Sequence, residues 1–407
     1  MSATTRLPKP TTILVGAAVM MSLGMGMRQS LGLFLAPVTH DLALKAADFT
    51  FAVAVQNIAW GLFQAPIGAI ADKYGLRPAM LIGGAIYIAG MLVMLTATGP
   101  LALTVSGALV GMALACTASS LAMTAAARAV TPERRSQVLG VVGACASLGT
   151  LLIAPTTQTL LGRWHWHIGV IFFIMLAAAM LPAAFMAGAV DRLPRPDEHR
   201  ATMSSVLGTA FRSRRFLVMT CAYFVCGLQL IFLTTHLPNY LAICGQDPML
   251  GATALAIIGG VNIFGSWFAG FLGGRYPMHI LLGLLYIARS AVIALYFMAP
   301  PTPTTTLIFA ATMGMLWLGV IPLVSGYVAQ LFGTRYMATI LGISFVVHQM
   351  GSVVGAWGGG LVFDIFHSYD HAWQFGVIVG ALAGLSQILF GGPARPGFSR
   401  RPAWAAG

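Results

Sequence analysis

The chain has 407 residues, of which 58% are hydrophobic and 8% charged, with a formal net charge of +12. Soluble domains carry about 25% charged residues, so this composition excludes an ordinary soluble enzyme or binding domain. A mean hydropathy of +0.85 points to a chain that crosses a membrane many times.

A membrane-spanning helix needs about 20 apolar residues. Apolar runs of that length fall at residues 11–38, 48–71, 79–97, 101–129, 136–160 and 166–190, and again at 216–241, 250–274, 279–299, 304–331, 337–364 and 372–391. The pattern predicts an all-α membrane protein of twelve helices. Residues 1–10 are polar and carry Arg6 and Lys9. The run that follows is too long for a cleaved leader, so it is expected to stay as the first span. Residues 191–215 are polar and broken by proline. They predict a linker between a first half, residues 1–190, and a second, residues 216–407.

The Lys and Arg residues give the orientation. With the first residue inside, eighteen of the 22 fall in inner segments, and only Lys45 and Arg163 fall outside. That bias predicts a multi-pass plasma (inner) membrane protein with both termini cytoplasmic. It also explains the net charge without nucleic acid. The expected partners are the lipid bilayer and a small anionic molecule, with protons as a candidate second cargo, and the chain is expected to act as a monomer.

The loop after the second span reads Gly68-Ala-Ile-Ala-Asp72-Lys73-Tyr74-Gly75-Leu-Arg77-Pro78. Gly68 is placed where two backbones approach closely, and Gly75 where the turn needs a positive φ. Asp72 is expected to cap a helix end, with Lys73 and Arg77 at the membrane surface. The pattern Gly-x-x-x-Asp-Lys/Arg-x-Gly-x-Arg resembles the loop signature of the major facilitator superfamily. A weaker copy, Gly270-Phe-Leu-Gly-Gly274-Arg275, follows the eighth span, as expected of two six-helix pseudo-symmetric halves. The resemblance implies alternating access, with Gly68, Asp72, Lys73, Gly75 and Arg77 as gating residues.

Arg28 and Arg289 lie in mid-span, and none of the ten acidic residues lies at their depth. A charge at a helix centre costs at least about 2.5–3.5 kcal/mol, so each guanidinium needs a counter-charge. An anionic substrate supplies one; helix carbonyls and hydroxyls are the alternative. Gly24 and Gly32, four residues either side of Arg28, are expected to clear space for its side chain. Polar stripes at helical spacing join Arg28: Asn57 with Gln56 nearby, Gln229 with His236, and His348 with Gln349. Each is a candidate substrate contact, and each equally suits interhelical packing. His236 and His348 are the candidates for proton coupling.

The five cysteines form no Cys-x-x-Cys pair, and no histidine stands at ligand spacing from them. No metal site, cofactor or catalytic group is expected. Gly26-Met-Arg28-Gln-Ser30-Leu-Gly32, Gln56-Asn57-Ile-Ala-Trp60 and His348-Gln349-Met-Gly351-Ser352 resemble the bacterial monocarboxylate-porter and oxalate/formate-antiporter-like branch. That implies a secondary transporter of a small organic anion, by proton symport or anion exchange. The alternative is an exporter of drugs or amphipathic metabolites, for which Met, Phe and Trp would line a broad cavity.

Overall fold

The computed structural model describes residues 9–117, 119–131, 135–193, 208, 210–298, 300–332 and 337–392. The side chains at 72, 119, 120, 135–137 and 337–339 stand outside that description. Most of the 191–215 linker therefore lies outside the described residues.

Among the described residues, twelve helices are long and apolar enough to cross a membrane. They are α1 (Pro10–Asp41), α2 (Ala46–Ala71), α3 (Leu76–Leu95), α4 (Pro100–Arg128), α5 (Val138–Arg163) and α6 (Trp166–Arg192) in the first half. The second half has α7 (Arg214–Ile243), α8 (Pro248–Gly273), α9 (Met278–Phe297), α10 (Pro303–Phe332), α11 (Ile340–Phe366) and α12 (Asp370–Phe390). The expected spans match to within a few residues. Helices form because lipid offers no partner for a backbone amide, so each must be satisfied inside its own segment. The Pro66, Pro155, Pro182 and Pro238 rings sit inside helices, which neighbouring helices make tolerable in a membrane.

Three helices depart from regular geometry where the halves meet. α1 tightens into a 3-10 turn at Leu31–Phe34, immediately after Arg28. α10 breaks between Leu316 and Val320, and Asn262 Oδ1 accepts the N–H of Leu318 at the break, 2.8 Å away. α11 carries a π segment at Val354–Gly358. Such segments concentrate at functional positions because they open the regular ladder of backbone bonds.

Within the first half α1 packs on α5 and α6, and α4 on α2 and α3; within the second, α7 packs on α11 and α9 on α12. The halves meet along three pairs, α1 with α7, α2 with α11 and α5 with α8. One end of the bundle holds Lys9, Tyr74–Arg77, Arg128 and Arg214 and is called the basic end; the other holds Asp41, Lys45 and Arg163 and is called the far end. At the far end the seam is shut. Gly32 lies so close to Thr234 and Thr235 of α7 that a Cβ would strike their backbone, and Gly360 of α11 lies equally close to Ala46, Ala47 and Thr50. Asp364 of α11 closes the same seam, accepting the N–H groups of Ala46 (3.1 Å) and Ala47 (2.8 Å) at the start of α2. At the basic end, by contrast, a Cβ added at Gly68, Gly140 or Gly342 would meet no described atom within 4 Å.

Two expectations change here. Gly68 does not mediate close helix approach in this conformation, since a Cβ there would meet no described atom within 4 Å. Gly24 and Gly32 do not clear room for Arg28; Gly24 faces Met180 and Leu114, and Gly32 admits α7. Gly75 does take the positive φ, 106°, at the end of the second helix.

Candidate binding site

Arg28 sits in the last turn of regular α1 and is 8% exposed. Its Nη2 donates to Asn57 Oδ1 at 2.8 Å, and its guanidinium lies 4.8 Å from the centre of the Trp60 ring. Asn57 and Trp60 are three apart on α2, so one face of that helix presents both. Asn57 spends its own N–H donor on Val53 O, 2.7 Å away, which fixes its oxygen toward Arg28. The Nε of Arg28 is buried with no hydrogen-bond partner among the described residues. A single neutral amide and a ring face thus hold a full positive charge in an apolar interior. A cation over an indole gains about 0.5–2 kcal/mol, which falls short of the cost of burying it.

The second half meets this cluster through α11. Gln349 Nε2 donates to the backbone oxygen of Asn57 at 3.1 Å, and Gln349 Oε1 accepts from Ser352 Oγ at 3.2 Å. His348 Nδ1 lies 3.1 Å from the same Gln349 oxygen, so this nitrogen carries the proton. The His348 ring stacks on Phe345, which in turn meets Trp60 edge-on at 5.0 Å. On the other side of Arg28, Gln29 Oε1 accepts from Trp317 Nε1 of α10 at 3.4 Å. Helices from both halves therefore converge on one guanidinium.

The other candidates lie elsewhere. Gln56 turns away from Arg28 and lines a crevice with Phe49, Ser106, Gly107 and Met91. Gln229 donates to Ser290 of α9 (3.3 Å) and to the backbone of Gly376 on α12 (3.0 Å), so it ties the second half together. His236 is bonded within the second half. Its Nε2 donates to Ala356 O in the π segment at 2.8 Å, and its Nδ1 accepts from Tyr369 at 3.1 Å. Burial pushes the Tyr369 phenol well above its ordinary value, so it stays neutral and can donate. Both nitrogens of His236 are therefore committed within the second half in this structure. Arg289 is fully buried; Nη1 donates to Cys226 Sγ at 3.3 Å, while Nε and Nη2 have no partner among the described residues. It does not bond Arg28 or Asn57, but its guanidinium lies 5.9 Å from the centre of the Trp317 ring, the indole that bonds Gln29.

Around the signature loop, the Asp72 side chain lies outside the described residues. The Lys73 ammonium lies 5.0 Å from the Tyr74 ring, and the Arg77 guanidinium 4.1 Å from the Phe185 ring. Here the sequence reading missed a residue. Asp191, assigned to the linker, accepts the N–H groups of Leu76 (2.9 Å) and Arg77 (2.8 Å) at the start of α3, with Arg128 4.0 Å away. Its carboxylate and that of Asp364 do the same job, each holding the positive end of a helix. The signal was an acid at the end of an apolar span with a glycine-led helix start elsewhere, which spacing alone could not pair.

Twelve apolar helices, two halves and a seam of glycines around a mid-membrane cation agree with the comparison against known families, in which the Major Facilitator Superfamily model matches residues 14–356. The chain belongs to that superfamily. The transporter is 26% identical over 385 residues to monocarboxylate transporter 13 of Bos taurus, spanning 93% of this chain and 88% of that one. It is 25% identical over 364 residues to the oxalate:formate antiporter of Oxalobacter formigenes, spanning 86% and 83%. Among solved structures, the nucleoside transporter NupG superposes with a TM-score of 0.74 at 14% identity, over 94% of this chain and 99% of that one. The protein is a transporter and not an enzyme.

Proposed function

We propose that this transporter carries a small organic anion, a monocarboxylate, by alternating access, with Arg28 as the anchor for the carboxylate. The observation that carries the reading is the Arg28 guanidinium, buried between the halves with an unpartnered Nε and only one neutral side-chain acceptor. A carboxylate would supply both the missing acceptor and the missing charge, and charge-assisted pairs of this kind are the strong ones. Asn57 and Gln349 would then sense the ligand from opposite halves. The relatives named as monocarboxylate and oxalate:formate transporters support the substrate class.

The basic end is assigned to the cytoplasm by its Lys and Arg excess, which makes the shut far end the outer one. His348 is the group left to accompany a proton, since its Nδ1 is bonded and its Nε2 has no partner among the described residues. Both proton symport and exchange of one anion for another run through the same site.

The test is uptake of radiolabelled monocarboxylates into liposomes containing wild-type or Arg28→Ala protein. Loss of saturable uptake with the variant, while Arg28→Lys retains part of it, is the expected result. Undiminished transport by Arg28→Ala would overturn the assignment.

A further inference from the structure

A second cluster lies well away from Arg28, at the far end of the first half. Asp41 ends α1, and His165 and His167 flank Trp166 at the start of α6. Their ligand atoms all lie within 4.8 Å of one another. His165 Nδ1 and His167 Nδ1 stand 3.0 Å apart, and Asp41 Oδ1 lies 3.6 Å from His165 Nε2. Metal–imidazole bonds are about 2.0–2.1 Å long, so two nitrogens on adjacent corners of one ion stand about 3.0–3.4 Å apart. The spacing of the two imidazoles suits a shared ion.

The surroundings pre-form the set. Trp166 is buried, and its Nε1 donates to Asp41 Oδ2 at 2.8 Å, which leaves Oδ1 turned to the histidines. The same indole stacks on the His167 ring, centroids 3.8 Å apart. One rigid residue thus orients a carboxylate and an imidazole at once, the task that outer partners perform around metal ligands. The histidines and Asp41 themselves are accessible, so an ion can reach them from solvent.

We propose that His165 Nδ1 and His167 Nδ1 hold one divalent metal ion, with Asp41 on the opposite ring nitrogen of His165 as the carboxylate that orients it. The ligand set favours borderline first-row ions, zinc, nickel or copper. It does not suit calcium or magnesium, which take oxygen ligands. An ion there fixes the start of α6 and, through Asp41 on His165, the end of α1, and two protein ligands leave coordination positions for water. The site needs nothing from the anion assignment.

The test uses the purified full-length protein without a histidine tag, titrated with zinc by calorimetry and with cobalt by visible absorption. One ion per chain is expected, with visible d–d bands for cobalt whose position and intensity report nitrogen and oxygen donors. His167→Ala and Asp41→Ala should each weaken binding at least tenfold, whereas His371→Ala, at an accessible histidine outside the cluster, should leave it unchanged. These positions are on the surface, and melting curves without metal check that the variants fold. Binding that survives the His165→Ala, His167→Ala double variant, or no saturable binding by the wild type, would overturn the proposal.

Discussion

Asp364 offers the sharpest test of how the two halves move. Its carboxylate accepts two backbone N–H groups, from Ala46 and Ala47, at the positive end of α2. Asp364→Asn keeps the shape but removes the charge, leaves one oxygen to accept, and strands one N–H. A hydrogen bond to a charged group contributes about 1.5–3 kcal/mol and a neutral one about 0.5–1.5. The carboxylate is only half-buried, so water replaces part of what is lost and the net change is about 1.5 kcal/mol. The contact joins α11 to α2 and can exist only while the far end is shut. All of the loss therefore acts on the balance between states, and about 1.4 kcal/mol is tenfold in that balance. A reporter stands beside the latch: Thr50 is fully buried against Gly360. In protein with the exposed Cys221 and Cys244 changed to serine, Thr50→Cys should react with a water-soluble maleimide only when the far end opens. We predict that Asp364→Asn raises that labelling rate about tenfold. A rate within twofold of the parent would refute the latch.

Gly32→Leu should push further in the same direction, because its side chain would occupy the space of Thr234 and Thr235 and the far end could not shut; labelling at Thr50→Cys should approach its maximum while cycling transport stops. Arg289→Met should raise the melting temperature of the ligand-free protein, since it removes two buried unpartnered donors that each cost about 1–3 kcal/mol. The same variant should weaken anion binding only severalfold, against a loss of more than a hundredfold for Arg28→Ala, as a charge acting at a distance and a direct contact differ in that way. Calorimetric titration and a melting curve read both effects.

The fold was legible in the sequence because lipid leaves so little choice. Each apolar run of sufficient length had to be a helix, and each turn had to carry the few charges. The site was legible only in part. Arg28, Asn57, His348 and Gln349 could be picked out as polar groups where polarity is costly, and the structure gathers these four. Gln56, Gln229 and His236 met the same criterion and went elsewhere. Helical spacing gives the face of one helix, but the partner across the seam depends on tilt and on which glycine lets which neighbour in. Gly32 shows the limit most plainly. Four residues after Arg28, it reads as room for a long side chain, yet it is filled by the backbone of α7. Asp41, His165 and His167 were invisible as a group because a hundred and more residues separate the first from the others, and only the packing of α1 against α6 brings them together.

The proposed anion site and the far-end latch are built on the same two helices. On α2, Asn57 stands eleven residues from Ala46; on α11, Gln349 stands fifteen from Asp364. Between the two points α2 is unbroken helix, while α11 carries the π segment at Val354–Gly358. His236 covers a carbonyl of that segment, Ala356 O, and Tyr369 holds His236 in place. A carboxylate that drew Asn57 toward Arg28 would pull on the Gln349 bond to the Asn57 backbone, and α11 would have to follow or let go. The irregular segment is the part of α11 able to absorb that movement, since its backbone ladder is already open. Far-end opening by this route requires Asp364 to release α2, whereas His236 on Ala356 lies within the second half and stiffens the π segment. A variant that frees Asp364 should therefore open the seam directly, and one that frees His236 should act only by letting the π segment deform more easily.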